Sequence, residues 1–88
     1  MEISYDQKIR RVVGDQIRHV RKSKEISQEE LAFRAGIDRT YISFIERGIR
    51  SPRLPVLYRI AHALKVSPGE LLVEVIDSPD PIQGGETD

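Results

Sequence analysis

The chain contains no cysteine. That excludes a disulfide framework and a thiolate metal site. Histidine is scarce too, with only His19 and His62 present. Neither has a serine or carboxylate at a spacing that reads as a nucleophile–base pair or a metal site. No enzymatic activity and no cofactor are therefore expected, and no small-molecule ligand is suggested. No stretch approaches the roughly 18 consecutive apolar residues of a membrane span. The opening Met-Glu-Ile-Ser-Tyr-Asp lacks the basic segment and apolar run of a secretory signal. A cytoplasmic chain with no membrane partner is expected. Net charge is missing as well: fourteen Lys+Arg balance fourteen Asp+Glu. At first sight that balance speaks against a nucleic-acid partner. At 88 residues there is room for one domain with a modest core. Such a chain leans on well-capped helices or on a second copy of itself.

The zero total hides a segregation. Residues 8 to 65 hold all fourteen basic residues and only six acids, Asp15, Glu25, Glu29, Glu30, Asp38 and Glu46. Fourteen less six leaves that span at +8. Glu2 and Asp6 precede it, and Glu70, Glu74, Asp77, Asp80, Glu86 and Asp88 follow it. A charge run is commonly a solvated face. A sign asymmetry of this size nevertheless favours a polyanionic partner.

Hydrophobic periodicity gives an all-α chain. Ser4 and Gln7 form a capping-box pattern, and Ile9, Val13, Ile17 and Val20 follow on one helical face. A first helix is predicted from about Tyr5 to Ser23. Gly14 inside it costs about 1 kcal/mol relative to alanine and suggests the close approach of another helix. Ser27 and Glu30 form a second capping box before a short helix, Gln28 to Ala35, which Gly36 ends. Asp38 is an N-cap for a third helix, about Arg39 to Arg47, with Tyr41, Ile42 and Ile45 on its apolar side. Two short helices joined by a tight, glycine-containing turn are a helix-turn-helix signature. A fourth helix runs from the region of Pro55 through Leu57, Ile60, Ala61 and Leu64 to near Lys65. Ser67 and Glu70 form a third capping box before Leu71, Leu72, Val73, Val75 and Ile76. That last segment reads either as a helix or as a helix turning extended after Leu72. Its apolar residues suit both closure of the core and a contact with a second copy. Residues 1–76 are taken as the folded domain, and the acidic, Pro/Gly-rich 77–88 as a disordered tail.

A helix seated in the major groove of DNA reads bases with the outward residues of its first turns. On the third helix these are Arg39, Thr40, Ser43 and Phe44, with Arg47 a turn further on. Arg39 can fork two hydrogen bonds to guanine. Thr40 and Ser43 offer short hydroxyls. The Thr40 methyl or the Phe44 ring suits a thymine methyl, although the ring could equally be tucked into the core. Phosphates are bound by helix N-termini and nearby flexible donors. Gln28, Tyr41, Arg47 and Arg50 are the candidates, with Arg34 a weaker one.

From Val13 to Leu72 the chain resembles the helix-turn-helix domains of the lambda-repressor/Cro superfamily, the xenobiotic-response-element type. The matching residues include Gly14, Ser27-Gln28-Glu29-Glu30-Leu31-Ala32, Ala35-Gly36-Ile37, Thr40-Tyr41-Ile42-Ser43, Ile45-Glu46-Arg47-Gly48, Ile60-Ala61 and Leu71-Leu72. The resemblance implies a bundle of five helices with the third as recognition helix. It implies a homodimer on a palindromic operator in double-stranded DNA. It places Gln28 against phosphate and Arg39, Thr40, Ser43 and Phe44 in base-facing positions. It also implies an Arg21–Glu46 pair tying the first helix to the end of the third, a structural role. Asp38-Arg39-Thr40-Tyr41-Ile42-Ser43 is in addition similar to the controller proteins of restriction–modification systems. The chain departs from the family at Glu25 and Lys65, where many members have glycine at a helix C-terminus. A second reading keeps the fold but makes it an antitoxin-like or other protein-interaction subunit.

Overall fold

Ser4 and Gln7 close the reciprocal cap that their spacing predicts. The Ser4 hydroxyl accepts from the Gln7 backbone N–H at 3.1 Å, and the Gln7 side chain accepts from the Ser4 N–H at 3.0 Å. The helix they open is α1 (Tyr5–Ser23). It is followed by α2 (Gln28–Ala35), α3 (Arg39–Glu46) and α4 (Leu54–Leu64). Pro55 sits in the first turn of α4, where its missing N–H costs nothing. This structure, a computed structural model, describes residues 3–72. Among these residues every regular element is helical.

The five-helix expectation is not met within the described residues. The segment after α4 is one 3-10 turn, Pro68–Leu71. Gly69 in its first turn costs about 1 kcal/mol relative to alanine, and a single turn is a costly nucleus for the one bond it gains. Leu72 already leaves helical geometry, at φ −104° and ψ 83°. Val73, Val75, Ile76, the boundary at 76 and the acidic tail lie outside the described residues.

The caps also differ in detail from the sequence pattern. At α2 the Ser27 hydroxyl accepts from the Glu30 N–H at 3.0 Å. The Glu30 carboxylate does not return the bond; it accepts from Arg34, one turn on, at 2.7 Å. A charged partner at i+4 outcompetes a backbone amide for a carboxylate. At the 3-10 turn, Glu70 accepts from the Ser67 N–H at 3.3 Å.

The four helix C-termini share one device. The N–H of Ile26 bonds the Arg21 carbonyl, that of Ile37 the Ala32 carbonyl, that of Ile49 the Phe44 carbonyl and that of Val66 the Ala61 carbonyl. In each case the preceding residue has a positive φ: Glu25 57°, Gly36 69°, Gly48 75° and Lys65 61°. This is the Schellman closure, in which an apolar residue just beyond the turn packs back on the helix. Ile26, Ile37 and Val66 pack against the core in this way. Glu25 and Lys65 therefore stand where glycine is cheaper, at about 1 kcal/mol of backbone strain each.

The core is built by interior faces alone. Ile17, Leu31, Ile42, Ile45, Ile60, Leu64 and Leu71 are fully buried. Each contributes roughly 1.5–3 kcal/mol of burial. Helix α1 packs on α3 and on the 3-10 turn, and α2 packs on α3 and α4. Leu71 thus closes the core instead of offering a surface, while Leu72 is half exposed. Gly14 explains how α1 and α3 approach so closely. A methyl group at Gly14 would run into the Ile45 carbonyl oxygen and crowd that of Glu46.

Two outcomes are expected. Gly14→Ala should lower the urea midpoint: helix propensity gains about 1 kcal/mol, but overlap with backbone that cannot rotate away costs about 1–3 kcal/mol. Lys65→Gly should raise it, because about 1 kcal/mol of left-handed strain is relieved against a smaller loss through the freer unfolded chain. Urea unfolding followed by circular dichroism measures both.

Candidate nucleic-acid interface

The interface is organised around a buried carboxylate. Glu46, the last residue of α3, is buried, and so is Arg21 of α1. Arg21 donates from Nε to Glu46 Oε2 at 2.6 Å and from Nη2 to Oε1 at 2.9 Å. Its Nη1 donates to the Ile26 carbonyl at 2.8 Å, which fixes the turn between α1 and α2. The two parallel bonds match the guanidinium fork to the carboxylate. The bond to Glu46 raises the Arg21 pKa, with burial opposing it, so Arg21 stays charged.

The same carboxylate holds Gln28. Gln28 Nε2 donates to Glu46 Oε1 at 3.0 Å, and the Gln28 side chain is half-buried. Glu46 thus ties α1, the first residue of α2 and the end of α3 to one point. The resemblance placed Gln28 against phosphate; its amide nitrogen is occupied within the fold.

Helix α3 presents its first turn outward. Arg39 and Thr40 are exposed, while Ser43 and Tyr41 are half-buried. Tyr41 packs its ring against the core. Asp38 stands at the N-cap in extended conformation but makes no side-chain cap bond; its backbone carbonyl accepts from the Tyr41 and Ile42 N–H groups at 3.0 and 3.2 Å. Arg39 Nε lies 3.7 Å from the Glu29 carboxylate of α2. Glu29 has no role legible in residue spacing beyond its place in a family motif.

Phe44 is neither free nor fully in the core. Its ring is half-buried, with the Arg47 guanidinium 5.4 Å and the Arg50 guanidinium 5.8 Å from its centre. A cation over an aromatic ring is attracted by the ring's quadrupole. The Phe44 carbonyl accepts from the Ile49 and Arg50 N–H groups at 2.9 and 3.3 Å, which folds the loop back over α3. Gly48, at φ 75°, makes that fold possible, and its carbonyl accepts from Arg10 Nε of α1 at 3.3 Å. Phe44, Arg47 and Arg50 thereby form one cluster at the end of α3. Arg39 and Thr40 stand at its beginning. Arg34 lies away from this cluster, paired with Glu30.

Sequence reading gave no role to Phe33 on α2, which is 83 % exposed. Its sole signal was an aromatic residue off the apolar face of a short helix. Among the described residues no helix is long and apolar enough to cross a membrane, and no group of three or more His, Asp or Glu is placed to hold a metal ion.

The sequence profile described as helix-turn-helix matches residues 17–71, the span from the middle of α1 to the 3-10 turn. This chain belongs to the helix-turn-helix family. Among its relatives, Control protein C.BamHI of Bacillus amyloliquefaciens is 48% identical over 65 residues, covering 73% of this chain and 80% of that protein. The restriction-modification controller protein C.AhdI from Aeromonas hydrophila has a crystal structure similar to this one, with a TM-score of 0.69 and 39% identity. The match covers 76% of this chain and 98% of that one. The biofilm regulator SinR, solved in complex with DNA, matches with a TM-score of 0.66 and 37% identity over 69% of this chain and 98% of its own. In this helix-turn-helix domain α2 and α3 are the paired helices, and Glu46 is the residue that locks them to α1.

Glu46→Ala should destabilise the domain by about 3–5 kcal/mol, because it leaves the Arg21 charge buried without a partner. Urea unfolding checks the value. The double change Arg21→Met with Glu46→Leu should cost much less than Glu46→Ala alone, since apolar residues can replace a buried pair.

Proposed function

We propose that the chain is a sequence-specific, double-stranded-DNA-binding transcriptional regulator, with α3 as the helix that enters the major groove. The observation that carries this reading is the outward first turn of α3. Arg39 and Thr40 are exposed there, on a helix whose other side, Ile42 and Ile45, is fully committed to the core. The roles follow from chemistry and position. Arg39 supplies a planar fork for guanine O6 and N7, and Thr40 and Ser43 supply hydroxyls to base edges. The open edge of Phe44 meets a thymine methyl. Arg47 and Arg50, stacked on Phe44, and the Tyr41 hydroxyl reach phosphates. Gln28 reaches phosphate through its backbone N–H at the start of α2, since Glu46 occupies its amide nitrogen. The basic span of residues 8 to 65 supplies the long-range attraction.

The chain is read as a homodimer on a palindromic operator, with half-sites about 34 Å apart. Leu54 and Tyr58, one turn apart on α4 and both more than half exposed, support an apolar contact between copies. Residues 1–76 are read as the DNA-binding domain. The named relatives, two controller proteins and a regulator solved with DNA, support the same reading.

Selection of bound sites from random duplexes, with footprint length recorded, tests DNA binding, symmetry and spacing together. An asymmetric site of one half-site length would refute the dimer. Arg39→Ala should relax base preference at one operator position and its symmetry mate, at a cost of about 1–3 kcal/mol per contact. Arg47→Ala should instead weaken binding evenly across sequences and reduce the salt slope by about one per half-site. Fluorescence-anisotropy titrations over a series of salt concentrations distinguish the two.

A further inference from the structure

Four acidic groups lie on α2 and α3 or between them, and the structure uses them differently. Glu46 is buried against Arg21 and Gln28. Glu30 is taken by Arg34 at 2.7 Å. Asp38 caps α3 by its backbone only. Glu29 is left in the first turn of α2, beside Gln28. Its carboxylate lies 3.7 Å from Arg39 Nε, with both side chains more than half exposed.

We infer that Glu29 is a specificity-determining residue that acts by positioning Arg39. The inference rests on the reading of Arg39 as a base-reading residue. The contact reaches Arg39 through Nε. A guanidinium held by Nε presents its two terminal nitrogens side by side, the fork that matches guanine O6 and N7. Glu29 restrains a long, rotatable side chain before DNA arrives, and the entropy of ordering it is then not lost on binding. The carboxylate also works against the wrong sites. Arg39 released from Glu29 would swing to any phosphate within reach, a contact that carries no sequence information. Glu29 competes for Arg39 against single phosphates and leaves the guanine fork unimpeded. Specificity is a difference between two affinities, and Glu29 acts on both sides of it.

The size of the effect follows from the exposure of the pair. An exposed ion pair is worth up to a factor of about five, so a ratio change of about that size is expected for each half-site. The test compares the wild-type chain, Glu29→Gln, Glu29→Asp, Arg39→Ala and Glu29→Gln/Arg39→Ala by site selection from random duplexes. Anisotropy is then measured on the selected duplex and on a scrambled one. In the Arg39 chain, Glu29→Gln should lower the ratio of selected to scrambled affinity and blur the guanine preference at the position that Arg39→Ala also relaxes. Glu29→Asp should restore part of it. In the Arg39→Ala background, Glu29→Gln should leave base preference unchanged. The thermal midpoint of Glu29→Gln should match wild type, since the pair is exposed. A guanine preference untouched by Glu29→Gln, while Arg39→Ala abolishes it, would overturn the inference and leave the Arg39 reading intact. A preference untouched by Arg39→Ala would overturn both. A Glu29→Gln effect of equal size in the Arg39→Ala background would also overturn the inference, because Glu29 would then act on DNA directly.

Discussion

The Glu46 carboxylate is the constraint on which the rest of the domain depends. A carboxylate is costly to bury unless its oxygens are filled by donors. Here they are filled by Arg21 from α1 and by Gln28 from the start of α2. The third guanidinium nitrogen of Arg21 reaches on to the Ile26 carbonyl. Three helices and one interhelical turn are thereby fixed relative to one another by a single side chain. Hydrophobic packing alone would hold α3 on the core but would tolerate sliding along its axis. The hydrogen-bonded carboxylate sets the register, which is the attested use of buried polar groups.

Register matters because the exposed and the buried parts of α3 are only eight residues long together. A shift of one residue would turn Arg39 and Thr40 by about 100° about the helix axis. The close approach of α1 at Gly14 locks the same end of α3, where a side chain would meet the Ile45 and Glu46 carbonyls. The Gly48 turn then brings Arg47 and Arg50 back over Phe44. The C-terminal half of α3 is thus held from three directions, while Arg39 and Thr40 at its start are left to solvent. A rigid base and an open tip are what a reading helix requires.

Much of this was legible from residue spacing. The four α-helices follow from apolar periodicity and cap chemistry, and their ends fall within a residue or so of the pattern. Gly14 signalled a helix crossing because a mid-helix glycine is otherwise a cost. The Arg21–Glu46 contact came from resemblance and not from spacing, since residues 25 apart in sequence carry no local signal. The third capped segment has the cap that its spacing predicts, and of the two continuations its sequence allowed, the chain leaves helical geometry at Leu72. The fate of Glu30 was also hidden. Two partners, the Ser27 N–H and the Arg34 side chain, lay at helical distances from it, and only the ion pair formed. The arrangement of Phe44 under two arginines depends on the left-handed turn at Gly48, which no one-dimensional pattern displays.

The absence of net charge acquires a physical meaning once the acids are placed. The basic residues between positions 8 and 65 attract any polyanion, and attraction of that kind does not discriminate between sequences. Discrimination then depends on withholding cations from indiscriminate use. Arg21 is withdrawn entirely, buried on Glu46. Arg34 is tied to Glu30, and Arg39 is approached by Glu29. Arg47 and Arg50 instead lie over an aromatic ring, which orders a cation without neutralising it. The two groups have different consequences. A cation facing a carboxylate must find a better acceptor to leave it, so it responds to the geometry of its target. A cation on a ring keeps its full charge, so it responds to any phosphate. On the proposed reading, Glu46, Glu30 and Glu29 therefore do more than offset charge: they set structural and selective arginines apart from the non-selective Arg47 and Arg50.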